Sequence, residues 1–222
     1  KEYEYQRKGG KIAINLDEGD RLIFVGHTTG DNHILIGTKK GYAARFHENK
    51  VKVVSRTARG VRGIELRQGD IVCGVVIVDN TKKLLTITEN GFGKKSEFSD
   101  FEARNRGVLG VIIHNINDKT GLLAGIACVD DTNDVMIITN EGTIIRTSTE
   151  DIPTYKRSTT GVKVMRLDDG ALVANLTIAD KEEEIEEEQV EENGEGIAQS
   201  ETPTEAPSDA PSETPTDTPT EE

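Results

Sequence analysis

The chain has 222 residues, with 27 Lys and Arg against 40 Asp and Glu, and a formal charge of −13. Residues 181–222 hold sixteen acids and one base, Lys181, while residues 1–180 hold 26 bases and 24 acids. The body is therefore slightly basic, and the whole-chain charge misstates what it would attract. Two cysteines, Cys73 and Cys128, lie without metal-ligand spacing, which excludes a disulfide scaffold and predicts a reducing, cytoplasmic setting. No leader peptide and no apolar run of about 18 residues is present, so no membrane partner is expected.

Residues 1–22, KEYEYQRKGGKIAINLDEGDRL, resemble the second half of a unit that recurs downstream. Gly10 aligns with Gly60, Gly107 and Gly161, and GKIAINLDEGD with GVRGIELRQGD. There is no initiator Met, and the first half of this opening unit is missing, which predicts a cut fragment. Residues 23–36, IFVGHTTGDNHILI, give two apolar runs about a polar turn, which predicts strand, turn and strand. The pattern returns at 73–87 with a turn at Asp79-Asn80, and at 124–138 with a turn near Asp131-Thr132-Asn133.

Lys40-Gly41, Asn90-Gly91 and Glu141-Gly142 follow these runs and predict tight hairpin turns. A third strand comes next, as in 42–46 or 143–147. A polar loop then leads to the second glycine and a fourth strand, as in 61–66 or 162–167. The hairpin glycines are about 50 residues apart, the period of a repeat protein. Four short strands per repeat predict an all-β, propeller-like fold of four-stranded blades, with a solenoid as the other way to stack the same unit. Residues 171–180, ALVANLTIAD, would complete the first blade if the chain ends pair. After Asp180 comes an acidic run, then Pro203, Pro207, Pro211, Pro215 and Pro219 among Thr, Ser, Glu and Asp. Too little apolar area is available there to offset ordering, so 181–222 reads as a disordered acidic tail after a folded body at 1–180.

Catalytic chemistry has little support. His27, His33, His47 and His114 are scattered, no phosphate-binding loop, nucleophile elbow or metal motif occurs, and turn chemistry accounts for Asp130-Asp131 and Asp168-Asp169. The bases are more informative because they recur at matched places. Lys39, Lys40 and Arg45 flank the first hairpin, Lys94 and Lys95 the second, and Arg146 the third. The loop before the second glycine carries Arg56, Arg59 and Arg62 with Lys50 and Lys52, then Arg104 and Arg106, then Lys156 and Arg157, with Lys163 just beyond. Such a belt suits the phosphates of duplex DNA without contacts to bases. Ordinary solvated turn charges are the plainer account of the same residues.

The phrases GKIAINLDEGDRL, TKKGYAARF, TARGVRGIELRQGD, TENGFGKKSEF, RNRGVLGVI, CVDDTNDVMIITNEGTIIRTS and STTGVKVMRL resemble the C-terminal domain of the DNA gyrase A subunit over residues 1–180. The resemblance implies a β-pinwheel, of which this sequence matches the last half. It also implies a basic rim that wraps DNA in support of negative supercoiling. The implied whole enzyme is an A2B2 type II topoisomerase of the bacterial cytoplasm, with two gyrase A chains and a gyrase B partner that hydrolyses ATP with Mg²⁺. No cofactor is implied for this fragment. Tyr3, Tyr5, Tyr42 and Tyr155 match no catalytic position, so no catalytic residue is expected here. Gln6, Arg7, Lys8, Gly9, Gly10 and Lys11 are similar to the family's glycine-rich box, but Ile12 replaces its last glycine, so they read as a box-like cousin. The topoisomerase IV counterpart of gyrase A is the nearest alternative, and a protein-interaction propeller the more distant one. The acidic tail either competes with DNA for the rim or only solubilises.

Overall fold

The structure is a computed structural model that describes residues 8–181. The expectations for Gln6, Arg7 and the tail beyond Lys181 lie outside the described residues. Among those described, the strands are β1 (His33–Thr38), β2 (Tyr42–His47), β3 (Val72–Val78), β4 (Lys83–Thr88), β5 (Phe92–Glu97), β6 (Val111–Ile112), β7 (Leu123–Val129), β8 (Asn133–Thr139), β9 (Ile144–Ser148), β10 (Val162–Lys163) and β11 (Val173–Asp180). Two single-turn 3-10 helices, at Glu48–Lys50 and Phe98–Asp100, follow β2 and β5.

Three sheets result, in the orders β3-β1-β2-β6, β10-β5-β4-β7 and β11-β8-β9. Each is centred on a hairpin whose turn carries a glycine at positive φ: 79° at Gly41, 77° at Gly91 and 87° at Gly142. An L side chain disfavours that conformation, which is why these positions are glycine. The polar turns at Asp79-Asn80 and Asp130-Asp131 do something different from the hairpin turns. They pass the chain from one sheet to the next, since β3 pairs with β1 and β7 with β4. The outer strands cross between repeats. β6, which follows the second hairpin, pairs with β2 of the first, and β10 pairs with β5.

Period-two alternation gives the central sheet two buried faces. Leu84 joins a core with Leu35, Val76, Phe98, Phe101 and Ile113, while its neighbour Leu85 joins another with Ile87, Val135, Ile137 and Ile152. Both leucines are fully buried, each contributing about 1.5–3 kcal/mol by area. The inner strands β3, β7 and β11 pack on one another, which puts β6 and β10 at the opposite edges of their sheets.

Three expectations are corrected. Residues 171–180 do not complete the first blade; β11 pairs with β8 along seven registered positions. Residues 23–28 form no strand, and Leu22, Ile23 and Val25 are more than half exposed; the inner edges of the three described hairpins are already taken by β3, β7 and β11. Residues 61–66 make only an isolated bridge, Ile64 to Val108, and the expected strand at 162–167 shortens to two residues.

The outer strands explain a difference between the hairpin glycines. A Cβ on Gly91 would fall 2.5 Å from the Met165 carbonyl oxygen behind β10, whereas one on Gly142, where β9 has no outer strand, meets nothing within 4 Å. Gly142→Ala should therefore cost only the left-handed backbone penalty, about 1–2 kcal/mol, and Gly91→Ala clearly more. Urea unfolding of the two variants checks this, and equal losses would contradict the packing of β10 over the hairpin turn.

Candidate nucleic-acid interface

After the second and third hairpins the chain leaves its sheet and runs along the outer edge of the preceding one. The loops at 98–110 and 149–161 do this on their way to β6 and β10. Their backbone is held by the neighbouring sheet: Arg104 N donates to the Arg45 carbonyl at 2.8 Å, and Lys95 N to the Pro153 carbonyl at 3.0 Å.

The base four residues after each hairpin glycine is not free on that edge. Arg45 Nη1 donates to the Phe98 and Phe101 carbonyls at 2.7 and 3.3 Å, and its Nη2 to Asn80 Oδ1 at 3.0 Å. Lys95 Nζ pairs with Asp131 at 2.5 Å. Arg146 pairs with Asp134 at 2.7 Å and donates to the Asp180 carbonyl. In register, Arg45 lies opposite Leu35, Lys95 opposite Leu85 and Arg146 opposite Met136. Arg45 and Lys95 thus reach the turns that lead to the next sheet, and Arg146 is held by Asp134 of its own hairpin and the end of β11, so the recurrence has a structural explanation. Lys95 is 3% exposed and Lys94 fully buried. The expectation that both stand on a solvated belt is corrected, because β5 belongs to the sheet covered on both faces.

The other candidates divide by partner. Lys39 pairs with Glu89 at 2.8 Å, Arg59 with Asp17 at 2.9 Å, Arg104 with Glu102 at 3.1 Å and Lys156 with Asp100 at 3.0 Å. Lys156 is still largely in solvent. Arg106, Arg157 and Lys40 bond to carbonyl oxygens and have no carboxylate partner among the described residues. Arg106 donates to the Lys50 and Arg62 carbonyls at 3.0 and 3.1 Å, Arg157 to Ile112 O at 3.1 Å, and Lys40 to Gln68 O. Arg56 donates to Ile12 O at 2.7 Å. Lys50, Lys52, Arg62 and Lys163 are exposed. Lys8, Gly9, Gly10 and Lys11 are exposed too, with Gly10 at φ 72° like its counterparts Gly60, Gly107 and Gly161.

Two further bases belong to this surface, Arg67 and Lys119. The Arg67 guanidinium stacks 3.5 Å from the Tyr42 ring centroid, and Lys119 approaches the Phe92 ring at 5.2 Å, with Lys163 at 5.9 Å. Tyr42 and Phe92 follow the hairpin glycines directly, and that matched aromatic pair was the available signal. Chemistry beyond charge is sparse. Burial pushes the Cys73 thiol up to about 12 and raises Cys128 as well. Among the described residues no three His, Cys, Asp or Glu converge as a metal site.

His114 is buried, with Nε2 2.9 Å from the Thr160 carbonyl and Nδ1 3.0 Å from Thr86 Oγ1. A carbonyl can only accept, so Nε2 carries the proton and Nδ1 accepts from the hydroxyl. Burial first, then the positive charge of Lys94, push this imidazole from 6.5 down to about 4. Between those values the unfolded chain binds a proton that the folded chain refuses, so stability falls as pH drops from 6.5 towards 4. The total is about 3 kcal/mol at 1.36 kcal/mol per pKa unit. Urea melts should lose this much over that window, and His114→Gln should flatten the loss. An undiminished slope in the variant would assign the pH dependence to other groups.

Comparison with known proteins accords with this architecture. The family model for the DNA gyrase C-terminal domain, a β-propeller, matches residues 1–28, 32–79, 82–130 and 133–180. The DNA gyrase A subunit of Aminobacterium colombiense is 40% identical over 182 residues, covering 82% of this chain and 22% of that protein. The same gyrase protein of Staphylococcus epidermidis is 40% identical over 179 residues, covering 80% of this chain and 20% of that protein. The chain thus spans about a fifth of the length of these relatives. Among solved structures, the C-terminal domain of DNA topoisomerase IV superposes with a TM-score of 0.76 at 25% identity, covering 81% of this chain and 56% of that one. A DNA gyrase A C-terminal domain superposes with a TM-score of 0.68 at 24% identity, covering 77% of this chain and 58% of that one. With the repeat and the sequence in agreement, the chain belongs to the family of DNA gyrase A C-terminal domains.

Proposed function

We propose that this chain binds and wraps duplex DNA without sequence preference, as a module of a gyrase A protein. The observation that carries the reading is the set of bases in and beside the loops after the hairpins that have no carboxylate partner among the described residues: Lys50, Lys52, Arg62, Arg106, Arg157 and Lys163. Such charges gain from replacing the counterions condensed on DNA and read no bases. Wrapping needs several of them, since bending a short site costs of order 1–6 kcal/mol.

In the whole protein the wrap would present a DNA segment for strand passage by an A2B2 type II topoisomerase. The cleaving tyrosine would lie elsewhere in gyrase A, and Mg²⁺ and ATP would be used by the complex with gyrase B. The setting would be the bacterial cytoplasm, in association with the chromosome. A corresponding role in topoisomerase IV is the second reading, favoured by the 0.76 TM-score with that enzyme's domain.

Lys52, Arg62 and Lys163 make no ion pair among the described residues, so changing them should alter binding more than folding. The triple Gln variant should keep its melting temperature within a few degrees. The slope of log K against log salt should become shallower by about 2.7, at about 0.9 per lost phosphate contact. Fluorescence anisotropy with a labelled duplex across a salt series measures this, and an unchanged slope would remove these bases from the interface.

A further inference from the structure

Lys94 presents a physical puzzle. Its side chain is fully buried, in a register position where the other two hairpins place Ala44 and Ile145. Burying an ammonium without a carboxylate is costly, and an apolar side chain would avoid the cost. The charged and titratable groups around it are Asp100 from the 3-10 turn, Lys156 and Arg157 from the loop, and His114 from the segment after β6. Asp100 pairs with Lys156 instead. Lys94 Nζ gives its hydrogen bonds to two successive carbonyls, Lys156 O at 2.8 Å and Arg157 O at 2.7 Å. His114 holds Thr160 O, Ser96 Oγ holds Tyr155 O at 2.8 Å, and Asn115 N holds Thr159 O at 3.1 Å.

The loop's backbone is thus fastened at nearly every carbonyl between 155 and 160, while the Lys156 ammonium stays largely in solvent beside Asp100 and Arg157 lies half-exposed against the Ile112 carbonyl. We propose that Lys94, assisted by His114, is a positioning residue that pre-orders this loop so that Lys156 and Arg157 contact DNA phosphates together. The inference rests on the DNA-binding reading above. A loop already ordered before binding loses less entropy when it meets its ligand, which supplies a reason to retain a costly buried lysine. Burial lowers the Lys94 ammonium to about 8, so at neutral pH it remains mostly protonated and adds positive potential beneath the loop.

The test is a cycle in the full chain, read by duplex anisotropy across a salt series and by amide exchange. Lys94→Met should speed exchange at 155–161 at least tenfold. It should also make the salt slope shallower by about two, as though two exposed contacts were lost, although no exposed charge is removed. Lys156→Gln with Arg157→Gln should give the same loss of slope, and adding Lys94→Met to that pair should change it no further. If the Met variant does not fold, Lys94→Gln, which keeps an N–H donor group without the charge, should give an intermediate slope and exchange rate. A normal slope despite rapid exchange at 155–161 would overturn the proposal. So would a normal slope in the Lys156/Arg157 double variant, or a loss that adds to it. In those cases the steep salt dependence of the unaltered chain would leave the DNA-binding reading standing. Absence of DNA binding by the unaltered, folded chain would overturn both.

Discussion

Each hairpin in this fold has two bare edges, and unpaired backbone groups along a sheet edge are costly to bury and prone to aggregate if left open. The inner edge is covered by a strand from the same repeat, β3 on β1, β7 on β4 and β11 on β8. The outer edge is covered by chain from the repeat that follows, β6 on β2 and β10 on β5. To supply that last strand the chain must leave its own sheet, cross to the outer edge of the preceding one and come back. The loops that make this crossing carry Arg106 and Arg157, which have no carboxylate partner among the described residues. The surface proposed to meet DNA follows from the way the sheets complete one another. Stability in such an arrangement is shared between neighbours, so weakening one outer strand loosens the sheet it visits as well as the loop that delivers it.

The middle sheet shows what this sharing does to individual residues. It has a neighbour on each face, so Leu84 and Leu85, adjacent in sequence, fill different cores. The same geometry buries Lys94 and Lys95 on opposite faces of β5. The two lysines meet burial differently: Lys95 has a carboxylate partner in Asp131, whereas Lys94 has backbone carbonyls. In the first sheet Ala44 takes the place of Lys94, and Arg45, in the place of Lys95, bonds backbone carbonyls and Asn80 instead of a carboxylate.

Much of the fold is legible in the sequence because its signals are local. The hairpin glycines at 41, 91 and 142, the alternating apolar runs and the period near 50 residues identify an all-β repeat, and all three glycines sit at hairpin turns as read. Strand exchange is not legible this way. A two-residue strand such as Val162–Lys163 has no periodicity to detect, and nothing local distinguishes a turn that folds back from one that passes to the next sheet. The candidate interface was half legible for a related reason. A base in a polar-looking stretch such as FGKKSEF reads as exposed, and only the tertiary arrangement places it between two cores. A column comparison of the repeats carries a warning, since Lys94 aligns with alanine and isoleucine.

Repetition itself needs careful interpretation. In a chain built from similar units, a residue that recurs at one register position first satisfies a need that every unit has. Arg45, Lys95 and Arg146 do this, each held by a polar partner inside the fold. DNA does not require the same residue in each unit; it requires positive charge along a path. Bases that recur in some units but not in all, such as Lys52, Arg62, Arg157 and Lys163, are not bound to that task. They have no carboxylate partner among the described residues, which leaves their charge available to phosphates. In this fold the bases common to every hairpin stabilise the architecture, and the others are the better candidates for recognition.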